Sequence, residues 1–142
     1  MGYWMRFFDT HKKPLKLGTL RSALRRIDRK FDLDRGQLTY DGADFAQVEI
    51  SEPGDGTFDA ELAEFRAAVE AKRGTKVAAA KAQVLETLDK TKRTIAVRVG
   101  GHGDALDLLD TLWDWLFRRR SGLLQADGEG FYQDEDLILP LK

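Results

Sequence analysis

The chain has 142 residues, 42% hydrophobic and 33% charged, with no cysteine and a formal net charge of −1. That length buries a core without disulfide or metal staples, and the missing cysteines exclude a disulfide scaffold, a thiolate zinc site, a cysteine nucleophile and a Cys-held iron–sulfur cluster. The charge is uneven: within residues 1–31 nine lysines and arginines stand against Asp9 and Asp28, a net of +7 that leaves −8 for the remainder, which suits an acidic or nucleic-acid partner or two mutually attracting faces.

The aromatic run Tyr3-Trp-Met-Arg-Phe-Phe8 reads as a strand ended by the polar loop Asp9 to Pro14. It lacks the apolar run and cleavage site of a signal peptide, and no stretch approaches the roughly 18 apolar residues of a membrane span. A cytoplasmic setting without membrane insertion is therefore expected. Thr19 stands where an N-cap belongs, and Leu20, Leu24, Ile27 and Phe31 follow at i, i+4, i+7 and i+11 as the buried stripe of a helix whose other faces carry arginines.

Asp41-Gly42 is the dipeptide a two-residue type I′ turn prefers, so a hairpin is expected with Tyr40 opposite Ala43 and Leu38 opposite Phe45. Phe45, Val48 and Ile50 do not keep one alternation, which predicts a bulge near Ala46-Gln47. After the Ser51 to Gly56 loop, a helix from about Asp59 carries Phe58, Leu62, Phe65 and Val69 inward. A second helical segment spans Lys76 to Lys90, and the pair is either two helices or one helix kinked at Gly74.

Thr94 to Val99 is a strand, followed by the Gly100-Gly-His-Gly103 loop and a helix from about Asp104 to Arg119. That helix has aspartates towards its start and arginines towards its end, the order its dipole favours. Besides its inward row it carries Leu106, Trp113, Trp115 and Phe117, an unusually wide apolar surface. A second hairpin turns at Asp127-Gly128 and closes through Leu137, Ile138 and Leu139.

Gly36 to Gln47 and Gly122 to Gln133 share six of twelve positions, including the Asp-Gly turn, a Leu and a Phe. Identity of that size arises by chance in a chain this long, but the order of elements repeats as well: Leu20, Leu24, Ile27 and Phe31 match Ala105, Leu109, Leu112 and Leu116. The expectation is an α+β fold of two βαββ units, residues 1–51 and 93–142, forming one mainly antiparallel sheet. The helices pack on one face, and a helical connector over residues 58–91 lies beside them, the units being related by a pseudo-twofold. A single domain, 1–142, is implied.

No catalytic, metal or nucleotide motif rises above background. His11 and His102, near Asp9 and Asp104, each follow the first strand of a unit and suit a catalytic pair if their loops meet; solvent-exposed loop histidines are the simpler reading. The glycine loop before Asp104 lacks the lysine of a phosphate loop, and its neighbouring aspartates repel anions. Asp107, Asp110 and Asp114 lie within about 60° on one helix side, a solvated stripe rather than a cation site. Asp134-Glu135-Asp136 reads as a turn or bulge.

The reading that follows is a non-catalytic protein-binding or self-associating module, a homo-oligomer among its forms, with Trp113 and Trp115 in the contact region. The alternative is nucleic-acid binding through the basic 12–30 segment, with Arg21, Arg25, Arg26 and Arg29 on phosphates and β-strand aromatics on bases. A small enzyme built on the His11 and His102 loops, with Asp104, is the third. No cofactor or metal is implied by any of them.

Overall fold

The computed structural model describes residues 2–101 and 103–141. In chain order its elements are β1 (Tyr3–Asp9), α1 (Leu17–Ile27), β2 (Phe31–Asp34), β3 (Gln37–Tyr40), β4 (Ala43–Ser51), α2 (Gly56–Glu70), a 3₁₀ turn (Thr75–Val77), α3 (Ala78–Lys90), β5 (Arg93–Val99), α4 (Ala105–Arg119), β6 (Gly122–Ala126), β7 (Gly130–Gln133) and β8 (Asp136–Pro140). The strands form one eight-stranded sheet, ordered β2-β3-β4-β5-β1-β6-β7-β8, with every neighbouring pair antiparallel. This is an α+β fold, and no helix among the described residues is long and apolar enough to cross a membrane.

Alternation along β1 divides the molecule into layers, because successive side chains of a strand point to opposite faces. Phe7 joins a core with Leu20 and Leu24 of α1 and Leu109, Leu112 and Leu116 of α4, so both unit helices lie on one face. Phe8 joins a second core with Val69 of α2 and Val84 and Leu88 of α3. The connector therefore covers the opposite face rather than lying beside the unit helices. It is two helices, not one kinked helix: Gly74 has φ +120, and Arg66 of α2 pairs with Asp89 of α3.

Each unit holds a strand more than expected. Helix α1 ends at Ile27, and Phe31 opens the short edge strand β2 instead of closing the helix stripe. Lys16, not Thr19, precedes the helix, whose buried residues are Leu20, Ala23 and Leu24. The second unit adds β8 after its hairpin. Chain order then breaks the expected pseudo-twofold, since β4, the return strand of the first hairpin, lies against β5, whereas β6, the outgoing strand of the second, lies against β1. The first strands are also exchanged, β1 pairing with β6 and β5 with β4.

The repeated string folds differently in its two copies. Asp41 and Gly42 have φ +51 and +83, the two positive values of a type I′ turn, and Tyr40 pairs with Ala43. The bulge follows sooner than expected: Thr39 pairs with Asp44 but Leu38 with Ala46, leaving Phe45 as the extra residue instead of Leu38's partner. In the second copy the loop has three residues, Asp127 to Glu129, since Ala126 pairs with Gly130. Leu124 meets Tyr132 there, the same spacing as Leu38 with Ala46. The extra residue sits in the strand of one hairpin and in the loop of the other.

Candidate functional site

Helix α4 seats Ala105, Leu109, Leu112 and Leu116 in the core. Beyond it the sheet continues through β6, β7 and β8, and a cleft of about 710 Å³ opens between helix and strands. Leu106, Asp110, Trp113, Asp114 and Phe117, spaced along one side of the helix, form its wall. Tyr3, Met5, Leu124, Ala126 and Tyr132 form its floor, and Asp134, Glu135 and Asp136 of the β7–β8 turn form its rim.

The floor is held by a shared acceptor. Tyr3 donates its hydroxyl to Glu129 Oε2 at 2.6 Å, and Tyr132 donates to Oε1 of the same carboxylate. Burial and then the Glu129 bond raise the Tyr3 pKa above its ordinary value, and the Glu129 bond raises that of Tyr132. Burial, followed by the charges of Asp114, Asp107 and Glu135, raises the Asp110 carboxyl. No lysine, arginine or histidine lines the cleft among the described residues, and Asp110, Asp114, Asp134, Glu135 and Asp136 make no ion pair. Aromatic faces beside carboxylates suit a cationic group with an apolar stem.

A second polar cluster is structural. Asp9 is fully buried at the end of β1, and its Oδ2 accepts from Arg93 Nη1 at 2.5 Å and from Arg120 Nη2 at 2.8 Å. Arg93 also donates to the His11 carbonyl at 2.9 Å, and Arg120 to that of Lys13. Both guanidiniums tie the β1–α1 loop to β5 and to the end of α4, and the Asp9 carboxylate is enclosed, its Oδ1 accepting the His11 amide at 3.2 Å.

This arrangement separates the residues suggested as a catalytic pair. His11 follows β1 at the end where Asp9 pairs with Arg93, while the glycine loop follows β5 at the other end, where Val99 pairs with Tyr3. The two loops leave from opposite ends of an antiparallel pair about 20 Å long and do not meet. His102 itself lies outside the described residues. Asp104 precedes α4 and accepts the Leu108 amide through its carbonyl. Among the described residues no group of three His, Cys, Asp or Glu is placed to hold a metal ion, the Asp107, Asp110 and Asp114 stripe included.

The suggested binding residues fall on two surfaces. Arg21 and Arg25 reach Asp32 at 2.7 and 3.8 Å, and the Arg21 bond holds the Asp32 carboxyl below its usual range. Arg26 and Arg29 are exposed and make no ion pair among the described residues. Trp113 is buried against the cleft, whereas Trp115 lies in a second groove with Ile27, Arg118 and Arg119, and Asp114 lines both. Tyr3, Glu129 and Tyr132 were not legible as site residues. The signal available was the interleaving of Leu106, Trp113 and Phe117 with Asp110 and Asp114 on one helix side.

No family model, no curated protein and no solved structure matches the chain.

Proposed function

We propose that this protein is a non-catalytic, cytoplasmic protein-binding module whose docking surface is the cleft between α4 and strands β6 to β8. The observation that carries the reading is the composition of that cleft, in which tyrosine, tryptophan, phenylalanine and methionine stand beside the carboxylates of Asp110, Asp134, Glu135 and Asp136, while no lysine, arginine or histidine among the described residues lines it. Such a surface favours a basic polypeptide segment, with lysine or arginine stems against the rings and the charged ends at the rim. The absence of cysteine suits the reducing compartment assumed.

The nucleic-acid reading has weaker support. Two of the four arginines, Arg21 and Arg25, already engage Asp32, and of the four strand aromatics that would stack on bases Phe7 and Phe8 are fully buried while Tyr3 and Trp4 are half-buried.

Fluorescence anisotropy of a labelled lysine- and arginine-rich peptide tests the proposal. Binding should weaken as salt rises, and Asp110→Lys with Asp114→Lys should lower affinity about tenfold or more. Binding at low salt that ignores this double substitution, or no binding at all, overturns it.

A further inference from the structure

The chain contains no asparagine and three Asp-Gly pairs, at 41–42, 55–56 and 127–128. Such a pair carries its own chemistry, because a glycine amide nitrogen, unshielded by a side chain, can attack the carboxyl carbon of the aspartate before it. The carboxyl group must first be free to turn and to take up a proton. The ring that forms also contains the Cα–C bond, which sets the aspartate ψ to about −120°, the value at the first central residue of a type II′ turn.

The three pairs meet these demands unequally. Asp127 Oδ1 accepts from Arg6 at 3.0 Å and from Gln125 at 3.1 Å, and its Oδ2 accepts the Trp4 amide at 3.2 Å, so both oxygens are held in the charged form. Asp55 caps α2: its Oδ1 accepts the Thr57 amide at 3.0 Å and its backbone carbonyl accepts that of Asp59 at 3.1 Å. Turning the peptide between Asp55 and Gly56 would break the first turn of that helix. Asp41 is exposed, and its carboxylate makes no hydrogen bond or ion pair among the described residues.

We propose that Asp41-Gly42 is a site of spontaneous isomerisation to isoaspartate, the one pair of the three that the fold leaves reactive. The hairpin turn assists. Asp41 has φ +51, close to the value of about +60° that types I′ and II′ share at this position, so flipping the single peptide between Asp41 and Gly42 supplies the required ψ while Tyr40 and Ala43 stay paired. Gly42 accepts the new φ, and the space around it is open. The Gly42 nitrogen then bonds to Asp41 Cγ, the amide proton and the carboxyl hydroxyl leave as water, and a succinimide closes. Water next adds to one of the two ring carbonyls. Breaking the bond from nitrogen to Cγ restores aspartate, whereas breaking the bond to the former main-chain carbonyl carbon gives isoaspartate, with no change in overall composition. The main chain of the product runs through Cγ and is one carbon longer, which a two-residue turn does not absorb. The Asp41 amide, which donates to the Lys30 carbonyl at 2.8 Å, carries that change to the start of the edge strand β2.

The experiment ages the full chain in warm neutral buffer, folded and, in parallel, unfolded in urea, and locates isoaspartate by electron-transfer fragmentation of its peptides. In urea all three pairs should isomerise, which fixes the rate that each has without the fold. In the folded chain isoaspartate should accumulate at 41 about tenfold or more faster than at 55 or 127, where a charged hydrogen bond has to be released first. Asp41→Glu, which would have to close a larger ring, should lower the total to the sum at 55 and 127. No isoaspartate at 41 in the folded chain, or as much at 55 or 127 as at 41, overturns the proposal.

Discussion

Phe45 and Phe131 hold the same place in the repeated string and point to opposite faces of the sheet. Phe45 packs with Phe31 in the core beneath α1 and α4, and Phe131 packs with Phe8 and Phe65 in the core beneath the connector. The cause is the position of one extra residue, since a one-residue slip moves a side chain to the other face. Truncating either ring to alanine should cost about 3–5 kcal/mol in urea denaturation. The local effects should differ: Phe131→Ala should speed amide exchange around Val84 and Leu88 of α3, and Phe45→Ala should do so in α1 and β2. Exchange that rises in the same elements for both variants would contradict the two-core arrangement.

Asp9 sits between two buried guanidiniums, so Asp9→Asn should leave Arg120 without a counter-charge and Arg93 with only Glu52 at 3.9 Å, and lower stability by about 3–5 kcal/mol. Asp32→Asn removes a pair that is roughly half exposed and should cost no more than about 1 kcal/mol. Equilibrium unfolding of the two variants side by side checks the contrast, which fails if the losses are equal.

All three tyrosines donate to a carboxylate: Tyr3 and Tyr132 to Glu129, and Tyr40 to Asp28. Each pKa is raised, by burial first for Tyr3 and by the carboxylate bond first for Tyr40 and Tyr132. The folded chain holds these protons more tightly than the unfolded one. The corresponding stability is complete below the unfolded value of 10.0 and is lost as pH rises through the higher folded values. Tyrosinate absorbance of the folded protein should therefore rise at higher pH than that of the same chain unfolded in urea. A tyrosine ionising at its ordinary pKa in the folded protein would refute this.

Gly122 has φ +155, and a Cβ there would lie 2.0 Å from the Phe8 carbonyl oxygen, where β6 pairs with β1 beside Asp9. Gly122→Ala should push the strands apart and cost at least about 2–3 kcal/mol. At Gly42, φ +83 in open space, alanine meets only the backbone penalty of about 1–2 kcal/mol. Thermal unfolding of the two variants distinguishes the sites, and a milder effect at Gly122 would count against the close approach.

What could be read from the sequence was governed by locality. The Asp41-Gly42 turn, the strands around Phe7 and Val97 and the helix carrying Leu109 and Leu112 are each specified by residues a few positions apart. The same Asp-Gly pair at residue 127 yields a longer loop, because the strand pairing around it selects Gly130 as the partner of Ala126. Ile27 reads as buried by spacing but is exposed, since α1 ends there and Phe31 is taken into the sheet. Strand β2 was hidden by its shortness and its two aspartates. The cleft was illegible for a different reason: Tyr3, Asp110 and Tyr132 meet only through a strand order that no local pattern encodes.

The placement of β1 between β5 and β6 also bears on how the chain is made. Asp9 finds its two arginines 84 and 111 residues further along, so at ordinary rates of synthesis β1 waits on the order of ten seconds for its neighbours. Until β5 emerges Phe7 and Phe8, completely enclosed at the end, lie on a segment with neither edge paired, and the second edge waits for β6. The emerging polypeptide is thus exposed to clumping while the ribosome is still at work, and a chaperone that shields its aromatic start until Gly122 to Ala126 appears would raise the yield of finished protein.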